Sequence, residues 1–381
     1  MRATTTGLLT MSWDVLCPNC QVGKAEYFEL KDLETQAHCD VCNIVFDASF
    51  DRLVEVRFGV APAIRKVAHR EYCIGGPMNT PHIVAQVPLA AGARQELGCL
   101  LGPGPYRVRS PQAAAGATFE AVADASEARL RFVITTDGIE PRRTVVAPGE
   151  VALTVENATS VEAVLTIEGS RWPDTIATAA AVGTIQEFRD LFSSEVLAPG
   201  LQLGIERLAF LFTDVIGSTA LYQRVGQARA FRMVQDHFRI LGDAITSHRG
   251  ALVKTIGDAV MATFETGADA LAAAVAMQRA VRVLDLDGAA DPRRFIKVGV
   301  HQGPCVAVTL NDRLDYFGTT VNVAARVEHE AQGGEIVATA DVCDLKEARA
   351  VLVQSRARLQ PDVVRLRGIE EPVRVYRFEV P

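Results

Sequence analysis

The sequence predicts an α+β chain in which a C-terminal α/β sandwich is preceded by a zinc ribbon and a β-rich module of sandwich or barrel form. Three observations carry that expectation. Paired C-x2-C knuckles open the chain, short apolar or alternating strands follow, and strands alternate with amphipathic helices from Leu208 onward. With 381 residues the chain has room for roughly two or three domains. Its 49% hydrophobic and 22% charged residues suit a globular protein that buries a sizeable core.

The ribbon is expected over residues 11–50. Cys17 and Cys20, then Cys39 and Cys42 after an eighteen-residue spacer, have the spacing of two knuckles that close a tetrahedral zinc site. Four thiolates leave no open position, so the ion would be structural. Neither pair sits in the βαβ context of a thioredoxin-like redox site. His38, beside Cys39, is an alternative ligand or a solvated neighbour. Cys73, Cys99, Cys305 and Cys343 are isolated and read as small buried hydrophobes.

The β-rich module is expected over residues 51–173. Val54–Phe58, Ile83–Leu89, Tyr106–Arg109, Leu130–Thr135, Val151–Glu156 and Ala163–Glu168 read as strands, with turn signals at Gly75–Pro77 and Gly102–Pro105. The Cys73–His82 loop is rich in turn formers and reads as a tight loop or a ligand site. Residues 174–200 change character: Ile185, Phe188, Leu191 and Phe192 fall close to helical spacing, and Ala198-Pro199-Gly200 ends the run. This is a helical connector into a domain of residues 201–381.

That domain should open with strand 208–213 and a helix from Ser218 to Ser247. A hairpin over 250–264, a helix over Gly267–Val283 and a strand over Phe295–His301 come next. A helix over Thr319–Glu330, a strand over Glu335–Ala338 and a closing hairpin over Val363–Glu379 complete it. Helices packed on a largely antiparallel sheet satisfy this order.

A net charge of −7 argues against a chain that coats nucleic acid or an anionic membrane. The N-terminus lacks the apolar core of a signal peptide, and no stretch approaches the roughly 18–20 apolar residues of a membrane span. The expectation is a cytoplasmic protein, where paired disulfides are rare.

Two aspartates point to chemistry. Asp214 closes the apolar run Leu208–Thr213, and Asp258 follows Gly257 inside an apolar hairpin. A carboxylate at the end of a buried strand reaches solvent, substrate or a cation, and two of them suggest a divalent-metal site. Ser218 or Thr219, after Gly217, would cap the next helix, whose free N–H groups favour phosphate. Such a pair of anchors fits two-metal phosphoryl chemistry. Asn322 and Arg326, four residues apart, project from one helix face while Val321, Ala324 and Ala325 cover the core side.

Over approximately Arg207–Val380 the sequence resembles the class III nucleotidyl cyclases. The resemblance rests on Phe-Thr-Asp214, Gly257-Asp258, Lys254 four residues before the second aspartate, and the run Asp315-Tyr-x-Gly-x-x-Val-Asn322-x-Ala-Ala-Arg326. It implies a ferredoxin-like α/β sandwich that binds two Mg²⁺ or Mn²⁺ ions per site through Asp214, Asp258 and the Val215 carbonyl. It further implies that Lys254 and Asp315 read the base, Asn322 orients the ribose, Arg326 stabilises charge on the α-phosphate and Arg367 meets the terminal phosphates. Gly217, Ser218 and Thr219 would lie along the nucleotide.

The implied reaction is conversion of ATP to cyclic AMP and pyrophosphate at the interface of a homodimer. The alternatives are a guanylate cyclase, or a degenerate protein that only binds nucleotide or dimerises. A Lys donor and an Asp acceptor match N1 and N6 of adenine, whereas guanine presents the opposite polarity. The cysteine knuckles, the 73–82 loop and the connector together resemble a region found ahead of some bacterial cyclase domains, which implies regulation.

Overall fold

The computed structural model describes residues 1–18, 22–39, 44–66, 82–169, 176–284 and 291–381. The chain divides into two compact units, one formed by Met1–Val67 with Ala177–Pro381 and the other by Ala68–Ile176. Cys20, Cys42 and all of the Cys73–His82 loop except His82 lie outside the described residues. No helix among the described residues is long and apolar enough to cross a membrane.

In the first unit, strand Leu9–Leu16 lies between Gly23–Tyr27 and Val54–Val60 in an antiparallel sheet, and Gln36–Cys39 pairs with Ile44–Asp47. The strand at Val54, expected in the β-rich module, therefore belongs to the N-terminal sheet of the first unit. The register Trp13↔Val56 explains the difference, because Val54 and Val56 turn inward and are buried as Trp13 is. Local alternation identifies such a strand but not the sheet it joins.

The second unit is a β-sandwich. One sheet orders Ile139–Glu140, Arg129–Ile134, Gly149–Asn157 and Arg94–Leu101, and the other orders Arg143–Val146, Ala117–Ala121, Gly104–Arg109, Ala163–Gly169 and Ile83–Leu89. Alternate residues of both sheets, among them Leu130, Phe132, Leu153, Val108, Phe119 and Ile167, share one core.

Residues 203–379 form the mixed layer that holds the site. Its elements are β1 (Leu203–Val215), α1 (Ser218–Val225), α2 (Gln227–Ser247), β2 (Gly250–Ile256), β3 (Ala259–Phe264), α3 (Gly267–Ala280) and β4 (Ile296–Leu310). They continue with β5 (Arg313–Phe317), α4 (Thr319–Glu330), β6 (Glu335–Thr339), α5 (Lys346–Ser355), β7 (Gln360–Val364) and β8 (Val373–Glu379). The sheet order is β2-β3-β1-β4-β6-β8-β7 with β5 on β4, and every pairing is antiparallel except β4 with β6. Helices cover both faces: α2 and α3 pack Leu241, Ile245, Leu271 and Met277 against Ala209 and Leu211, while α4 packs Val323 and Val327 with Val337 and Val375.

Four local expectations change. The helix from Ser218 breaks at Gly226, whose φ of 80° ends one helix and starts the next. The helix from Gly267 stops at Ala280 and passes into a 3₁₀ turn, Val281–Val283. β4 runs fifteen residues instead of ending at His301, because it continues into a hairpin with β5. The connector is two short helices, Ala179–Gly183 and Gln186–Leu191. Helix α5 has no counterpart in the sequence expectation.

Candidate active site

Sheet register brings the two aspartates together at one end of the strands. Thr213 pairs with Val260, and Ile256 pairs with Ala259 across a turn occupied by Gly257 and Asp258. Gly257 has φ 65°, which a β-carbon disfavours, so glycine here lets the hairpin close beside the end of β1. Asp214 stands opposite Lys297 on β4.

The carboxylates are surrounded by few charged groups. Asp258 Oδ2 is buried without a hydrogen-bond partner among the described residues. The Tyr222 hydroxyl of α1 is pushed up to about 12, first by burial and then by the charges of Asp258 and Asp214, so both carboxylates act on this phenol. His237 of α2 is fully buried, with Nε2 3.3 Å from the Asp258 carbonyl oxygen. Burial drives its pKa down to about 4 against the opposing pull of that carbonyl and both aspartates, so at neutral pH it brings no positive charge.

Lys297 Nζ lies 3.4 Å from Asp214 and 2.9 Å from Glu328, which is buried on α4. Burial opposes the charge of Lys297, but Glu328 and Asp214 outweigh it and hold its pKa above the ordinary value. One ammonium thus serves two carboxylates. An orphaned carboxylate oxygen beside a second aspartate is costly by itself and is relieved by a cation. Among the described residues no group of three or more His, Cys, Asp or Glu side chains forms a complete metal cage. Mg²⁺ does not need one, since it binds through one or two carboxylates together with substrate phosphates and water. The residues therefore fit the ion.

Gly217 is the N-cap of α1, and no side chain caps that helix. The expectation that Ser218 or Thr219 caps it is corrected: both are first-turn residues, and the helix start keeps N–H groups for an anion. Val215 ends β1 opposite Ile296, with its side chain buried.

Sixty-one residues apart in sequence, Lys254 on β2 and Asp315 on β5 meet with Nζ donating to Oδ2 at 2.5 Å. The Tyr316 N–H donates to the other oxygen, Oδ1, at 2.8 Å. Asn322 and Arg326 lie one turn apart on α4, Asn322 exposed and Arg326 half-buried. A β-carbon at Gly368 would sit 3.5 Å from Arg326 Nη1 and Nη2, which brings the loop of exposed Arg367 beside Arg326. Lys297, the partner of Asp214, begins β4, and Val308, the partner of Asp315, is near its end.

Residues 203–377 match the adenylate and guanylate cyclase catalytic domain family. They form a class III cyclase catalytic domain. An adenylate cyclase of Anabaena cylindrica is 34% identical to the chain over 134 residues, 32% of this chain and 27% of that protein. An adenylate cyclase of Mycosarcoma maydis is 32% identical over 168 residues, 39% of this chain and 6% of that protein. The match thus spans about a quarter or less of these curated relatives. A solved structure of a monomeric adenylate cyclase from Trypanosoma brucei is 25% identical, covers 46% of this chain and 91% of its own, and has a TM-score of 0.41. Residues 1–73 match a family of unknown function (DUF5939).

Within the cyclase domain, sequence reasoning missed Tyr222, His237, Lys297 and Glu328. Lys297 carried a usable signal, a lysine inside the apolar run Phe295–Val300. His237 and Tyr222 carried none, because their importance comes from what the fold packs around them.

Proposed function

We propose that this chain is an adenylate cyclase that converts ATP to 3′,5′-cyclic AMP and pyrophosphate in a homodimer. The observation that carries the reading is the buried Asp258 oxygen, unpartnered among the described residues, set beside Asp214 at one end of the strands. Asp214, Asp258 and the Val215 carbonyl would hold two Mg²⁺ or Mn²⁺ ions. When bound, the ions lower the pKa of the attacking 3′-hydroxyl and neutralise triphosphate charge.

The chain's own groups do the rest. The N–H groups after Gly217, through Ser218 and Thr219, receive phosphate. Lys254 donates to adenine N1 while Asp315 accepts from N6, and their side-by-side placement suits two adjacent atoms of one base edge. Asn322 orients the ribose, Arg326 faces the α-phosphate and Arg367 the terminal phosphates. The 3′-oxygen bonds to the α-phosphorus, the bond from that phosphorus to the bridging oxygen breaks, and the hydroxyl proton leaves to solvent.

Incubation of purified protein with ATP or GTP and Mg²⁺ or Mn²⁺, followed by product separation, tests this. Cyclic AMP as the main product supports it. Cyclic GMP would assign a guanylate cyclase, and no cyclic product would leave a degenerate nucleotide-binding protein.

Placement of the partners of Asp214 and Asp315 toward opposite ends of β4 supports a site shared between two chains. Asp214→Ala and Lys254→Ala, each inactive alone, are expected to regain activity when mixed, because one of the two sites in the mixed dimer then holds both intact sets. Well-folded mixed dimers that stay inactive would exclude the shared site.

The zinc reading extends the proposal to the N-terminus. Cys17 follows strand Leu9–Leu16 and Cys39 ends strand Gln36–Cys39, both fully buried, while His38 is exposed on the opposite face of its strand. With Cys20 and Cys42 they supply four thiolates. Elemental analysis is expected to find one zinc per chain, and Cys39→Ser to lose it with a lower unfolding midpoint, since structural zinc contributes on the order of 10 kcal/mol to a small fold. Zinc-free protein with an unchanged midpoint would remove the site. The region from the ribbon to the connector is read as regulatory.

A further inference from the structure

Building on this reading of the site, we propose that Arg189 and Gln186 of the connector helix Gln186–Leu191 are positioning residues for the base-reading pair. Through them residues 1–66 set the enzyme's affinity and selectivity for the purine. The sheet has a gap beside the base-reading pair. β2 pairs with β3 and β5 with β4, and no pairing among the described residues joins β2 to β5. Lys254 and Asp315 are therefore brought together by elements that the sheet does not hold in mutual register.

The connector helix touches both. Gln186 Oε1 accepts from the Leu252 N–H at 2.7 Å, on the edge strand two residues before Lys254 and beside the bulge that shifts its register. Arg189 Nη2 donates to the Leu314 carbonyl at 2.5 Å, immediately before Asp315, and its guanidinium lies 5.9 Å from the centre of the Tyr316 ring, immediately after it. Gln186 Nε2 donates to Asp190 Oδ1 at 2.8 Å, which fixes the amide that grips β2. A cavity of about 380 Å³, lined in part by Gln186, Arg189, Lys254 and Leu314, adjoins these contacts. A charge-assisted bond and an amide bond thus hold the backbones that aim the two recognising side chains.

The outer side of the helix belongs to the ribbon region. Phe188 is fully buried with Trp13 edge-on at 5.8 Å. Just past the helix, Glu195 Oε2 accepts from Trp13 Nε1 at 3.1 Å and from the Leu30 N–H at 3.0 Å. Arg2 pairs with Glu187 at 2.9 Å. Movement of residues 1–66 would pass through Phe188 and Glu195 to the helix and from there to Lys254 and Asp315.

The test uses the full chain. Arg189→Ala and, separately, Gln186→Leu are expected to raise the KM for ATP by about tenfold and to lower the preference for ATP over GTP, the size expected for loss of one strong hydrogen bond. The metal concentration for half-maximal activity should not move. Arg189→Lys, which keeps a donor, should recover part of the selectivity. Trp13→Phe and Glu195→Gln should shift KM and selectivity in the same direction from the ribbon side. Wild-type KM and selectivity in both Arg189→Ala and Gln186→Leu would overturn the proposal, as would a fall in kcat alone. A wild-type chain that forms no cyclic nucleotide would instead remove the reading of the site, and this inference with it.

Discussion

Asp258→Asn is expected to lower cyclic nucleotide formation by about a thousandfold or more at saturating Mn²⁺, because it removes one of two carboxylates proposed to hold the ions. The side chain keeps its size, so packing is not the cause. The stability readout separates a metal ligand from a structural carboxylate. Asp258 Oδ2 is buried without a partner among the described residues, so in ion-free protein that carboxylate oxygen is left without a hydrogen bond. Neutralising it should leave the metal-free unfolding midpoint unchanged or raise it, while the stabilisation conferred by added Mn²⁺ disappears. A lower metal-free midpoint with activity retained would show that Asp258 serves the hairpin and not an ion.

Arg326→Ala is expected to lower kcat about a hundred- to a thousandfold, the usual loss when one preorganised donor to a developing charge is removed. Arg326 is half-buried beside Gly368, and α4 is anchored separately by Val323 and Val327, so the helix should survive the truncation. If the guanidinium acts only in the transition state, kcat and kcat/KM fall together. A rise in KM at constant kcat would instead assign Arg326 to uniform binding of the triphosphate. Arg326→Lys should recover little, since a point charge does not reproduce the planar fork.

Legibility in the sequence followed the range of the interactions involved. The aspartates were visible because each interrupts an apolar run that a strand would bury, and Asn322 with Arg326 because helical spacing is local. The eighteen-residue gap between the cysteine pairs was countable without a fold. The pairing of Val54–Val60 with Leu9–Leu16 was not visible, because alternation names the buried face of a strand and leaves its partner open. The break at Gly226 was underweighted, since one glycine within a helical pattern is often tolerated.

By itself, then, the sequence determined which residue types stand at strand ends and on helix faces, and with them the kind of chemistry the cyclase domain can support. Tertiary structure decided everything that depends on a distance between remote positions. It set Lys297 between Asp214 and Glu328, packed His237 and Tyr222 around the carboxylates, and brought Lys254 to Asp315 across sixty-one residues. It also set Gln186 and Arg189 of the connector helix against the two strands that carry that pair. Periodicity in a sequence records which way a side chain points, whereas its charge state and its partner depend on sheet register and burial, which exist only after the chain has folded.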